Sequence, residues 1–215
     1  MDRKNIVRSL IITAVAVISI VDYSVFMKKA HAPEQGEMPP EVTSTVKTYR
    51  SSAYNFVFKY PASSTLYESK DKEKIQSLSY IPPCEPELSV VCVAIPPSLY
   101  ANTNFGGAGF SVNYIADGKN EQSCITGSES AGEKINRNGI TFYHNRRGDA
   151  AMSHQSAEEV YRTFHDGACL EAALRINSTT FEVYESGTVD RFTDDDRSAV
   201  TKALENVFST FRFTD

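Results

Sequence analysis

The residues of this sequence whose types and spacing could do chemistry are four cysteines, a glycine-rich stretch, three histidines beyond the first 50 residues and an acidic triplet. Cys84, Cys92, Cys124 and Cys169 are separated by 8, 32 and 45 positions with no C-x-x-C. That spacing matches no common zinc finger, and an even count suits disulfides made in an oxidising compartment. Four cysteines allow three pairings and sequence alone does not choose among them. Cys84 and Cys92 stand at the ends of the short Pro-containing loop CEPELSVVC, which favours Cys84 with Cys92 and Cys124 with Cys169. In the chain-entropy picture the short bridge contributes roughly 2.5 kcal/mol and the long one roughly 4 kcal/mol.

The segment Phe105-Gly106-Gly107-Ala108-Gly109-Phe110-Ser111 invites a phosphate-loop reading. It lacks the Lys-Ser/Thr of a P-loop and the third glycine of a dinucleotide fingerprint, and Phe110 opens a strand where those motifs need a helix, so it reads as a flexible loop. Ser111 is no nucleophile elbow, because Asn113 stands where G-x-S-x-G demands glycine. His144, His154 and His165 have no third group at ligand spacing that would complete a metal site. A Ser153, His165, Asp190 triad can be written, as from almost any chain of this size, and carries no weight. Asp194-Asp195-Asp196 with Glu205 at the twelfth position imitates a calcium loop, but Ala199 occupies the sixth, where glycine is required. Asn177-Ser178-Thr179 fits the N-glycosylation pattern. No catalytic, cofactor or metal site is expected.

The elements that must position these residues are mostly strands. Tyr54, Phe56, Phe58 and Tyr60 alternate with Asn55, Val57 and Lys59 up to Pro61, and further strands are expected over 75–81, 90–95, 109–115, 133–137, 140–145, 158–165 and 168–177. Asn138-Gly139 and Asp166-Gly167 are the dipeptides that two-residue type I′ hairpin turns prefer. The second turn predicts that Arg162 faces Glu171, Glu158 faces Arg175, Phe164 faces Cys169 and Tyr161 faces Ala172. Tyr161, Leu170, Ala172, Leu174 and Ile176 then share the core face, with both opposite-charge pairs on the other, partly covered or wet. The first turn sets His144 opposite Glu133. Thr193 and Asp196 form a capping box, and Val200, Ala203, Leu204, Val207 and Phe208 make one apolar helical stripe. A closing strand follows through Phe211 and Phe213. Antiparallel strands with few packed helices define an α+β domain.

The opening aromatic-Asn-Phe-x-Phe-x-Tyr-Pro (Tyr54 to Pro61) and the ending of a helix followed by Phe-x-x-Phe-x-Phe (Phe208 to Phe213) resemble the PsbP/Mog1-like domains of bacterial envelope proteins. The resemblance implies an α/β/α sandwich around an antiparallel sheet and a role as a binding or accessory module. It carries no shared catalytic constellation.

Ahead of this domain, Arg3, Lys4 and Arg8 precede the apolar run Ser9 to Met27, which Asp22 alone interrupts with a charge. At 1.5 Å per residue, 19 residues reach roughly 28 Å, enough to cross the hydrocarbon core. Ala30-His31-Ala32 imitates a signal-peptide cleavage site, but it lies about ten residues beyond the uncharged core and Pro33 would follow the cut. The expected organisation is therefore a membrane anchor over 1–27, a disordered Pro- and Glu-rich linker over 28–46, and an extracytoplasmic α+β domain over 47–215. Every cysteine follows the span, which orients the domain toward the periplasm or cell exterior, anchored in the inner (plasma) membrane.

Composition removes other classes. The chain of 215 residues has a formal charge of −5, with 22 basic and 27 acidic side chains, the wrong balance for a nucleic-acid binder. With 41% hydrophobic residues it can build a packed core. The expected partners are the membrane through residues 9–27 and a protein or small ligand of the envelope, with no nucleic acid. The competing readings are a structural subunit resembling a minor pilin, and a hydrolase with an unrecognised site. The first lacks the glycine cleavage point and early glutamate of pilins; the second requires a deep pocket with convergent titratable groups.

Overall fold

The computed structural model describes residues 45–126 and 132–214. The expected membrane segment 9–27 and almost all of the 28–46 linker lie outside the described residues, and among those described no helix is long and apolar enough to cross a membrane. The described elements belong to one compact unit, Ser44–Asp215.

The strands are β1 (Val46–Ser51), β2 (Phe56–Pro61), β3 (Thr65–Glu68), β4 (Ser89–Ile95), β5 (Phe105–Tyr114), β6 (Glu133–Arg137), β7 (Ile140–Ala151), β8 (His154–His165), β9 (Ala168–Thr179) and β10 (Arg212–Phe213). The helices are α1 (Lys72–Gln76), α2 (Glu121–Thr126) and α3 (Asp194–Phe208). The strands form two antiparallel sheets, ordered β1-β2-β10 and β3-β4-β5-β9-β8-β7-β6. This is a mixed α+β architecture.

Both hairpin turns take the positive φ values a type I′ turn needs: 54° and 79° at Asn138 and Gly139, 48° and 75° at Asp166 and Gly167. Their registers follow: Arg162 pairs with Glu171, Glu158 with Arg175, Phe164 with Cys169, Tyr161 with Ala172, and Glu133 with His144. The alternation sorts the large sheet into an apolar and a polar face. The apolar face carries Val91, Val93, Ala108, Phe110, Val112, Leu170, Ala172, Leu174 and Tyr161, all buried. Against it pack Phe56 and Phe58 of the small sheet and Val200, Leu204, Val207 and Phe208 of α3. The other face carries Cys92, Ala94, Gly109, Asn113, Glu158, Arg162, Cys169, Glu171, Arg175 and Asn177. There Cys124–Cys169 fastens α2, and Cys84–Cys92 fastens the connection between α1 and β4. Helices therefore lie on both faces of the large sheet.

Three expectations change. Residues 75–81 form no strand: Ile75 lies in α1, buried with Cys84, Cys92 and Ala94, and Leu78 packs on the same cluster one helical turn later. The glycine-rich segment is strand β5, with a bulge at Gly106 between the paired Phe105 and Gly107 (φ 108°). Its even positions Ala108 and Phe110 enter the core, and burial on both faces outweighs the weak strand preference of glycine. Finally, β7 continues past Asn145 to Ala151, because β8 extends back to His154 and pairs with it from Tyr143–Arg162 to Ala151–His154.

The helix cap has the expected reciprocal geometry. Asp196 N–H donates to Thr193 Oγ1 at 3.1 Å, and Thr193 N–H donates to Asp196 Oδ2 at 2.9 Å. Thr193→Ala is expected to lower stability by about 1 kcal/mol, read as a lower denaturation midpoint with an unchanged slope.

Candidate functional site

The polar face contains a network of charges whose centre, Glu171, Glu158 and Arg162, is buried, with the Arg175 side chain largely so. Glu171, 1% exposed, accepts from Arg162 Nε at 2.7 Å, Arg147 Nη2 at 2.9 Å and Asn113 Nδ2 at 3.2 Å. Ser89 Oγ donates to Asn113 Oδ1 at 2.9 Å, carrying the polar row on to β4. Four residues along the same two strands, Glu158 accepts from Arg175 Nε at 3.1 Å and lies 3.7 Å from Arg147 Nη1. Arg175 also pairs with Glu85 and donates to the Pro82 carbonyl at 3.4 Å. Arg147 thus bridges the two buried carboxylates.

Burial pushes the Glu158 carboxyl above its ordinary range, opposed chiefly by Arg175 and reinforced by the charge on Glu171. Burial disfavours the charged form of Arg175, but Glu158 and Glu85 outweigh it and raise its pKa further above the usual value. The arrangement stores opposite charges in mutual contact, which suits a rigid scaffold for a binding surface.

Strap-like residues 77–88 cover part of this face. Asn177 Nδ2 holds them by donating to the carbonyls of Ile81 (2.9 Å) and Pro82 (3.2 Å). The strap approaches closely because position 109 is glycine: a Cβ there would stand 2.5 Å from the Pro83 carbonyl oxygen and 2.8 Å from the Cys84 sulfur. Between the strap and the β7–β8 hairpin opens a cleft of about 750 Å³, with Glu158, Arg147 and Arg175 in its wall and Glu85, Arg146, Asp149 and Tyr80 around it. The Tyr80 ring, 68% exposed, stacks on His154 at 4.2 Å between centroids, and its hydroxyl reaches Met152 Sδ at 3.4 Å.

The other singled-out residues scatter. His144 keeps its backbone register opposite Glu133, but its side chain bonds Glu159 on the neighbouring strand and stacks on Tyr161. His165 stacks on Phe213 with Asp166 at 3.4 Å. Ser153, in the turn before β8, and His165, its last residue, lie at opposite ends of that strand, so they build no triad. Asp194, Asp195 and Asp196 open α3. Ser111 is buried within β5. Asn177 is 2% exposed with its amide nitrogen engaged, which closes the glycosylation pattern in the folded domain. Arg147, Asn113 and Glu85, essential to the network, carried no motif; Arg147 stands opposite Glu158 across the β7–β8 hairpin, whose turn at Met152 and Ser153 has none of the dipeptides that mark a type I′ turn in sequence.

No family model and no curated protein matches the chain. Among solved structures, it is similar to a crystal structure from Bacteroides thetaiotaomicron with TM-score 0.46 and 10% identity, covering 79% of this chain and 48% of that one, so the chain spans about half of that protein's length. It is also similar to the solution structure of a cyanobacterial PsbP from Synechocystis, with TM-score 0.39 and 11% identity over 83% of this chain and 98% of that one. A third is the crystal structure of LpqN, involved in cell envelope biogenesis of Mycobacterium tuberculosis, with TM-score 0.27 and 10% identity over 82% of this chain and 88% of that one. The opening and closing motifs resemble the PsbP/Mog1-like family in sequence, and a cyanobacterial PsbP is among the similar structures.

Proposed function

We propose that this chain is a binding or accessory module on the oxidising side of the plasma membrane, anchored through residues 9–27 with its domain facing the periplasm or cell exterior. The observation that carries this reading is the pair of disulfides, which engages every cysteine of the sequence and fastens both covers of the polar face. In a reducing compartment those covers would lose their staples. Binding is favoured over catalysis because Glu158 and Glu171, the most deeply buried carboxylates of the network, are already committed to arginines, whereas a general base or nucleophile must be available to substrate. The cleft offers a fixed array of donors and acceptors beside the Tyr80 ring, suited to a polar ligand or a protein surface of the envelope.

The test uses the full chain in its native membranes. Alkylation without reductant should label no cysteine, carbonate washing should leave the protein with the membranes, and protease added outside spheroplasts should cut the domain. Four labelled thiols, release by carbonate, or protection from the protease would each reject the reading.

A further inference from the structure

We infer that the outer edge of β6 is a self-pairing surface, joining two copies of this chain through one antiparallel strand pair. Among the described residues, strand β6 ends the seven-stranded sheet, and its order places β7 on one side of it only. The turn that follows fixes which backbone groups face outward. A two-residue type I′ turn closes on a hydrogen-bonded pair, here Arg137 with Ile140, and such pairs alternate along the ladder. Arg137, Ile135 and Glu133 therefore spend their N–H and C=O groups on β7. Lys134 and Asn136 direct theirs away from the sheet, toward the open edge.

The sequence of this edge, Glu133-Lys134-Ile135-Asn136-Arg137, is complementary to itself when reversed. Centred on Ile135, a two-fold pairing sets Ile135 against Ile135 of the second copy, Glu133 against its Arg137, and Lys134 against its Asn136. The two Lys134–Asn136 pairs then use all four outward backbone donors and acceptors. Ile135 and the Glu133–Arg137 pairs occupy the close, non-hydrogen-bonded positions, where side chains interact most. No like charges stand directly opposite one another. Moving the register by two residues in one direction opposes Lys134 to Lys134; in the other it sets Arg137 against Ile135. A shift by one turns Ile135 to the wrong face.

The side chains suit this use. Glu133 is exposed and Ile135 is half-buried on the same face. Arg137 lies over the sheet, its guanidinium carbon 5.6 Å from the Phe208 ring centre and 5.9 Å from that of Tyr161, so pairing with Glu133 of a second copy exchanges these ring contacts for an ion pair. The interface is isologous, so it closes at two copies instead of propagating.

The full chain, purified in detergent, tests this. Ile135→Cys should give a covalent dimer under mild oxidation, whereas Leu99→Cys, placed at an exposed site away from the edge, should not. Glu133→Arg sets arginine against arginine twice and should weaken dimerisation about tenfold. Adding Arg137→Glu restores both opposite-charge pairs and should recover the original association. The inference is overturned if the double variant associates no better than the single one, if both cysteine variants crosslink equally, or if Ile135→Cys gives no covalent dimer.

Discussion

Glu171→Ala is expected to lower the unfolding free energy by about 3–5 kcal/mol, the cost of leaving buried arginines without their carboxylate. Glu171 is the fourth of the twelve residues of β9, with three donors converging on it, and its side chain is 2% exposed. Arg147 has 27% of its side chain in contact with solvent and also approaches Glu158, so it can adjust. Arg162 has only 10% and lies beneath the covers of the polar face, so the penalty concentrates there. The decisive comparison is with Arg162→Met combined with Glu171→Met. Replacing both charges by apolar side chains of similar length removes the unpaired arginine together with the pair, and should recover much of the stability lost in the single variant. Chemical denaturation followed by circular dichroism reads all three proteins. A loss below about 1 kcal/mol for Glu171→Ala would mean that water enters the network and that its burial is not what organises this face.

How much of this was legible in the sequence depends on how many strands a given residue touches. The Asp166-Gly167 turn yields both ion pairs of the β8–β9 hairpin because each involves residues directly opposite on two consecutive strands. His144 shows where such reasoning stops. The register correctly places it across from Glu133, yet β7 has a neighbour on each side, and the imidazole turns to Glu159 on β8. Strand β7 itself loses its apolar alternation at Asn145-Arg146-Arg147, because there Arg146 and Arg147 line an open cleft and the core no longer dictates the pattern. The glycine-rich segment misleads for a related reason. Its odd position Gly109 is small so that Pro83 and Cys84 can pass close above it, a requirement imposed by a segment more than 20 residues earlier, which no local pattern encodes. The disulfide Cys84–Cys92 was favoured by its short loop, but its consequence, a strap over the charged face held also by Asn177 and Arg175, exists only in three dimensions.

The apolar face was the more readable half, and it supplies the second large effect. Phe208→Ala is expected to destabilise the domain by about 3–5 kcal/mol, whereas Phe208→Leu should cost about 1–2 kcal/mol. Phe208 closes the α3 stripe and is 1% exposed. Its ring lies 4.4 Å from Tyr161, 5.2 Å from Phe142 and 6.2 Å from Phe110, measured between centroids, so it touches three strands of the large sheet at once. Truncation opens a cavity that these rings can fill only by leaving their staggered positions, and the capped helix above, fixed at its start by Thr193, cannot slide in to close it. Leucine keeps most of the volume and forfeits mainly the edge-to-face contact with Phe142. The order of the two variants is the informative part. If alanine and leucine cost the same, the ring geometry holds α3 in place and volume matters little; if alanine costs three times as much or more, the helix is held by filling space, as the i, i+3, i+4, i+7 and i+8 spacing of its apolar residues implies.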